Sequence, residues 1–330
     1  MLEWDYGPKI SETSLYLDSR RPRALSFVSH AHSDHIASHK IAIATPATLA
    51  LAEKRVSIEK SIPLAFGVKH ILQDDLSITL HPAGHVLGSA MSLVRRKNIS
   101  LLYTGDFKLR SGPTCEAPDP PRADILVMES TYGRPVFRFP PFHEVAARLV
   151  DIVADAFKNG QQPIVLGYSL GKAQHIVKIL TDAGFNVTEH NAVANLSDVY
   201  ERFGVQLGRR QRYNPAHFRG PGALDLIQRG VIVAPPQVAR SAFVEQFPHR
   251  VTIMLSGWAL LSGASYRYGV DHVLPISDHA DFDELLELVE RVQPQRVYSL
   301  HGFPDFANTL RARGIRADTA KPDPQMRLFD

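Results

Sequence analysis

Residues 24–35 read ALSFVSHAHSDH, and this stretch decides the fold. The run Leu25 to Ser29 is apolar and β-favouring, and it leads without a break into His30, His32, Asp34 and His35. A strand end fixes the backbone from which ligands project. His30 and His32 stand at i and i+2, so in extended chain they share a face. Asp34 and His35 are expected where the chain turns into a helix. Imidazole and carboxylate together suit zinc, manganese or iron, and not calcium. The pattern predicts a metal-dependent hydrolase.

The same layout recurs further along. His85, in HPAGHVLGSA, follows an apolar run at 78–80. Asp106, in LLYTGDFK, follows another at 100–104, and His301, in VYSLHG, follows a third at 296–300. In each, an apolar strand delivers a candidate ligand with a glycine beside or near it, so all three are read as ligands. His81 reads as a surface histidine at a strand end.

Around these points the chain has two rhythms. The first third reads as short strands broken by turns, with further strands at 14–17, 91–94 and 124–129 and a helix opened by Thr45 and Pro46. The middle alternates helices (142–159, 170–183) with strands (163–167, near Val187, 231–235, 251–256), which predicts a parallel α/β layer. The last part reads strand 272–276, helix 282–292, strand 296–300 and helix 306–313. The segment after Asp318 carries Pro322 and Pro324 and reads as loosely ordered.

The 330 residues, 44% hydrophobic and 22% charged, are ordinary for a globular protein and leave little room for coiled coil or extended disorder. A formal net charge of +3 permits a polyanionic partner without arguing for one. Cys115 is the one cysteine, which excludes an internal disulfide and a thiolate-rich zinc site. No basic and apolar leader opens the sequence, and no apolar run approaches membrane-span length. The expectation is a cytoplasmic protein with no membrane role. The basic clusters Arg95-Arg96-Lys97 and Arg209-Arg210-Arg212 read as solvated surface.

SHAHSDH, HPAGHVLGSA and TGDF resemble the successive motifs of the metallo-β-lactamase superfamily. Asp18, in LYLDSR, occupies the place of that superfamily's first aspartate, which orients the metal-binding loop without ligating. Glu129 in MESTYG, His279 in SDHAD and His301 in SLHG resemble motifs A, B and C of the β-CASP nucleases. The resemblance covers most of the chain. It implies an α/β fold, an αββα metallo-β-lactamase sandwich with an inserted α/β β-CASP domain. The expected divisions are 1–140 for the first part of the sandwich, 141–265 for the insertion, and 266–330 for the return and tail.

The resemblance also implies site roles. His30, His32, His85 and Asp106 would hold one divalent metal, Zn2+ or Mn2+. Asp34, His35, Asp106 and His301 would hold a second, with Asp106 bridging. Asp34 would also orient or deprotonate the attacking water. His279 would be the general acid, with Glu129 fixing its tautomer and raising its pKa. Ser277, Ser169, Gly171 and Lys172 are candidate phosphate contacts, the last three at a helix start.

YTGDFK, MESTYG and SDHAD look closest to bacterial DNA-ligase-associated exonucleases, which implies a DNA 5′-exonuclease in repair and a functional association with a DNA ligase. Histidine at motif C points instead to an RNA-processing nuclease, endo- or 5′-exo. A small-molecule metallo-hydrolase and a non-catalytic nucleic-acid binder are further alternatives. Gln325-Met326-Arg327-Leu328-Phe329 fits the pattern of peptides that dock on the bacterial sliding clamp.

Overall fold

The computed structural model describes residues 1–320. Its first unit is Met1–Arg138 together with the chain from Asp278 onward. Strand alternation builds this unit. In Ile99–Tyr103, Leu101 and Tyr103 face one core and Leu102 faces another. The strand belongs to a seven-stranded sheet ordered Ala317–Thr319, Arg296–Leu300, Ile125–Glu129, Ile99–Tyr103, Ala90–Arg96, Leu76–Pro82, Lys69–Gln73. A six-stranded sheet runs Leu2–Trp4, Pro8–Ile10, Leu15–Leu17, Leu25–Phe27, Ile41–Ala44, Lys60–Pro63.

The two sheets meet in a shared core. Ile10, Leu15, Leu17, Phe27 and Ile43 pack against Ile78, Leu80, Val94, Tyr103 and Val127. Each such side chain, fully withdrawn from water, contributes about 1.5–3 kcal/mol of hydrophobic stabilisation. On the outer face of the larger sheet, Leu102, Leu126, Met128 and Val297 pack on Leu285, Leu288, Val289 and Val292 of helix Phe282–Val292. On the outer face of the smaller sheet, Val28, Ala42 and Ala44 pack on Leu49 of helix Pro46–Ala52. The result is the expected αββα sandwich.

Strand direction gathers the candidate ligands. Ile99–Tyr103, Ile125–Glu129 and Arg296–Leu300 are parallel neighbours. Leu76–Pro82 runs the same way, because two antiparallel pairings separate it from Ile99–Tyr103. Their C-terminal ends therefore share one sheet edge, from which His85, Asp106, Glu129 and His301 emerge. The helix expected at Asp34 and His35 is instead a single turn, closed by the His35 N–H donating to the His32 carbonyl at 3.1 Å.

The second unit is Phe139–Ser277. Its sheet is wholly parallel, ordered Arg210–Arg212, Val187–Glu189, Val231–Ala234, Gln162–Leu166, Arg250–Leu255, His272–Leu274. The sequence places the return to the sandwich at 266. In the fold, His272–Leu274 still pairs with Arg250–Leu255, so the chain up to Ser277 goes with the second unit. No described helix is long and apolar enough to cross a membrane. The clamp-type peptide at 325–329 lies outside the described residues.

Candidate metal centre

Asp18 anchors the loop that carries the candidate ligands. It has φ +50°, a backbone conformation that a non-glycine residue rarely holds. Its Oδ1 accepts from the Ser29 N–H at 2.6 Å. Its Oδ2 accepts from the Ser29 hydroxyl, from His35 Nδ1 at 2.7 Å and from the Tyr103 phenol at 3.0 Å. Gly105, at φ +55°, brings the Asp106 loop against this point. A Cβ there would lie 2.4 Å from Ser29 Oγ. Gly302 does the same for His301, since a Cβ would lie 1.9 Å from the Ser130 carbonyl oxygen.

Four ligand atoms from His30, His32, His85 and Asp106 lie within 4.8 Å of one another. His30 Nε2 is 2.9 Å from His32 Nδ1, and His85 Nε2 is 3.1 Å from the same atom. Asp106 Oδ2 is 3.6 Å from His30 Nε2, 3.9 Å from His85 Nε2 and 3.4 Å from His35 Nε2. One carboxylate oxygen thus sits among four imidazoles, the fourth being His279, whose Nδ1 is also 3.9 Å away. On its other side His35 Nε2 is 3.7 Å from Asp34 Oδ2, and the His301 ring lies 5.4 Å from the His35 ring between centroids. Arg20, not singled out in the sequence, donates from Nε to the Asp34 carbonyl at 2.9 Å.

The hydrogen bonds behind these candidate ligands set their tautomers. His85 Nδ1 lies 2.8 Å from the Asp278 carbonyl, an acceptor only, so Nδ1 carries the proton and Nε2 presents a lone pair. His30 Nδ1 is 2.9 Å from Ser29 Oγ, whose own proton goes to Asp18. His30 Nε2 is therefore bare as well. Two buried lone pairs and a buried carboxylate facing one point form a donor set that fits a divalent cation of the zinc or manganese kind.

Charge is unevenly distributed over the cluster. Burial, reinforced by the neighbouring His279, pushes His85 down to about 3. Burial, with His35 adding to it, takes His301 to about 4. Burial also opposes the charges on His35 and Asp106, but their mutual attraction wins: the imidazole is held well above, and the carboxyl well below, its ordinary range.

Beside this cluster, His279 Nδ1 is 3.0 Å from both Glu129 oxygens. Glu129 is fully buried and accepts from the Phe107 N–H at 2.8 Å and the Thr131 hydroxyl at 2.6 Å. Burial opposes the His279 charge, but Glu129 and Asp106 outweigh it and raise the imidazole to about 9.

The candidate phosphate contacts belong to the second unit. Helix Lys172–Asp182 starts after Gly171, as the sequence predicts, but the Gly171 N–H is taken by Gln174 Oε1 at 2.8 Å. Lys172 and Ser277 are both buried. Of the basic clusters, Arg210 pairs with Glu189, Asp198 and Glu201, and Arg96 with Glu12 and Asp75. His81 is half-buried and faces Asp119.

Residues 264–321 match the family described as the Zn-dependent metallo-hydrolase RNA specificity domain. A probable DNA ligase of Opitutus terrae is 40% identical over 336 residues, covering 99% of this chain and 32% of that protein. The transcription termination factor FttA of Pyrococcus abyssi is 33% identical over 318 residues, covering 78% of this chain and 49% of the factor. The endoribonuclease ysh1 of Schizosaccharomyces pombe is 35% identical over 112 residues, 33% of this chain and 14% of the enzyme. The chain thus spans less than half the length of each of these relatives. A protein of unknown function from Enterococcus faecalis shares the fold, with a TM-score of 0.60 at 15% identity, over 91% of this chain and 79% of that one.

Proposed function

We propose that this chain, which belongs to the β-CASP family of metallo-β-lactamase-fold hydrolases, is a two-metal phosphodiesterase that cuts DNA from a 5′ end in repair. In this reading His30, His32, His85 and Asp106 hold one ion, and Asp34, His35, Asp106 and His301 hold the other. Bound there, zinc or manganese supplies the Lewis acidity that polarises a phosphodiester and acidifies water.

The protein's own groups do the rest. Asp18 and the Asp278 carbonyl hold the ligand imidazoles in the tautomers that binding needs. Asp34, half exposed, orients or deprotonates the attacking water. His279 gives a proton to the leaving 3′-oxygen, with Glu129 fixing its ring. The proton needed at that oxygen is the reason an acid must stand beside the ligands. Ser277, Ser169, Gly171 and Lys172 act as phosphate contacts in this reading, and Gln174 then has to yield the Gly171 N–H.

The observation that carries the choice of DNA is the 40% identity, over 99% of the chain, to a protein named for DNA ligation. A nuclease that trims ends and an enzyme that seals them act on the same substrate, so functional association with a DNA ligase follows. The second reading, an RNA-processing nuclease, is favoured by His301 and by the RNA specificity description of residues 264–321. Digestion of 5′- and 3′-labelled single-stranded DNA and RNA of one sequence, with zinc or manganese, separates them. Stepwise loss of the 5′ label from DNA is expected. Preferred cleavage of RNA would overturn the assignment, and turnover of a β-lactam without any nuclease activity would replace it with a small-molecule hydrolase.

A further inference from the structure

Ser29 lies between Asp18 and His30 and is buried. An ionised carboxylate accepts and does not donate, and Asp18 already faces four donor groups. The single Ser29 hydroxyl proton therefore goes to Asp18 Oδ2, 2.5 Å away. What the hydroxyl offers His30 is a lone pair, 2.9 Å from Nδ1. The proton of the His30 ring sits on Nδ1, and Nε2 faces His32 and Asp106 as a bare donor atom.

We propose that Ser29 is a relay that carries the hold of Asp18 to His30, so that one buried carboxylate sets the ligand nitrogen of a histidine in each half of the centre. His35 is set directly, through Nδ1 at 2.7 Å, and His30 through the hydroxyl. Gly105 leaves room for that hydroxyl, since a Cβ there would meet Ser29 Oγ at 2.4 Å. The inference rests on the two-ion reading above and adds to it a positioning residue with a stated target.

Ser29→Ala isolates the relay. The variant keeps the Ser29 N–H bond to Asp18 Oδ1, so the loop stays anchored. It loses the acceptor for His30 Nδ1 and the hydroxyl donor to Asp18 Oδ2, which keeps His35 Nδ1 and the Tyr103 phenol as donors. The ring then has no reason to keep its proton there, and Nε2 is bare only part of the time. Outer partners of this kind are worth about 10–100-fold in metal affinity.

Two measurements test this. The first is the nitrogen NMR spectrum of the His30 ring in metal-free protein. Wild type is expected to carry the proton on Nδ1, and Ser29→Ala to shift it towards Nε2. A wild-type ring protonated on Nε2 alone overturns the relay, and this arm needs no variant to fold. The second is zinc titration in two backgrounds. In His301→Ala, which leaves the His30 site intact, adding Ser29→Ala should weaken zinc about 10–100-fold. In His32→Ala, which leaves the His35 site, adding it should change nothing. Equal zinc affinity with and without Ser29→Ala in the His301→Ala background would also overturn the relay. Wild-type protein that takes up no zinc would sink the two-ion reading, and the ring spectrum would still decide the relay.

Discussion

His279 touches both oxygens of Glu129 at 3.0 Å, a geometry that fixes the ring. If it donates the leaving-group proton, His279→Ala should lower kcat about 10²–10⁴-fold while the protein keeps its full metal content. Activity assays paired with elemental analysis check this, and loss of metal would make His279 a ligand instead. Cys115 gives a second residue-scale test. Burial, with Glu116 nearby, pushes its thiol up to about 12. The thiolate is the reactive form, so labelling by a maleimide at pH 8 should be slow in folded protein and fast after denaturation. Rapid labelling of folded protein would show that the loop holding Cys115 opens.

At the scale of elements, what the sequence revealed depends on contrast. The strands that carry the candidate ligands were legible because each is an apolar run ending abruptly in a histidine or aspartate. The edge strands Lys60–Pro63 and Lys69–Gln73 were not, because they are short and mostly exposed. Helix Asn191–Arg202 was missed too. Its inward residues Val193, Leu196, Val199 and Tyr200 are diluted by Asn191, Asn195 and Asp198 on the other face. The Asp18–Ser29–His30 chain was beyond reach, because it depends on the positive φ of Asp18 and on contacts between separate strands. Of the basic cluster Arg209-Arg210-Arg212 read as surface, Arg210 proved structural, while Arg209 and Arg212 are exposed. Arg210 pairs with the fully buried Glu189 at 2.7 Å and ties the edge strand Arg210–Arg212 to helix Asn191–Arg202 through Asp198 and Glu201. Arg210→Met strands the Glu189 carboxylate, and urea unfolding should register a loss of about 3–5 kcal/mol. An unchanged midpoint would mean that Ser197 alone suffices for Glu189.

For the whole molecule, the histidines of the centre set how stability follows pH once metal is stripped by a chelator. His85 and His301 are lowered from 6.5 to about 3 and about 4, mainly by burial. Between pH 6.5 and 5 the unfolded chain binds protons there that the folded chain does not. Stability is thus present above 6.5 and falls as pH drops, by at most about 1.4 kcal/mol per pH unit for each group. His279 has the opposite sign. Its folded pKa is raised to about 9 by Glu129 and Asp106 against the effect of burial, so its contribution is complete below 6.5 and is lost as pH rises through 9. His35, also raised, acts in the same direction. Metal-free protein should therefore be most stable near pH 6.5 and weaken on both sides, as urea midpoints from pH 5 to 9 would show. A midpoint that does not vary would mean that the cluster titrates alike in folded and unfolded chain. Zinc should reshape this curve asymmetrically. The ion must displace the proton that His35 shares with Asp106, so binding tightens as pH rises, and binding to the folded state alone adds stability. The gain on adding zinc should then be larger at pH 8 than at pH 6, which offsets the part of the alkaline limb that His35 contributes and leaves the part due to His279 and the acid limb.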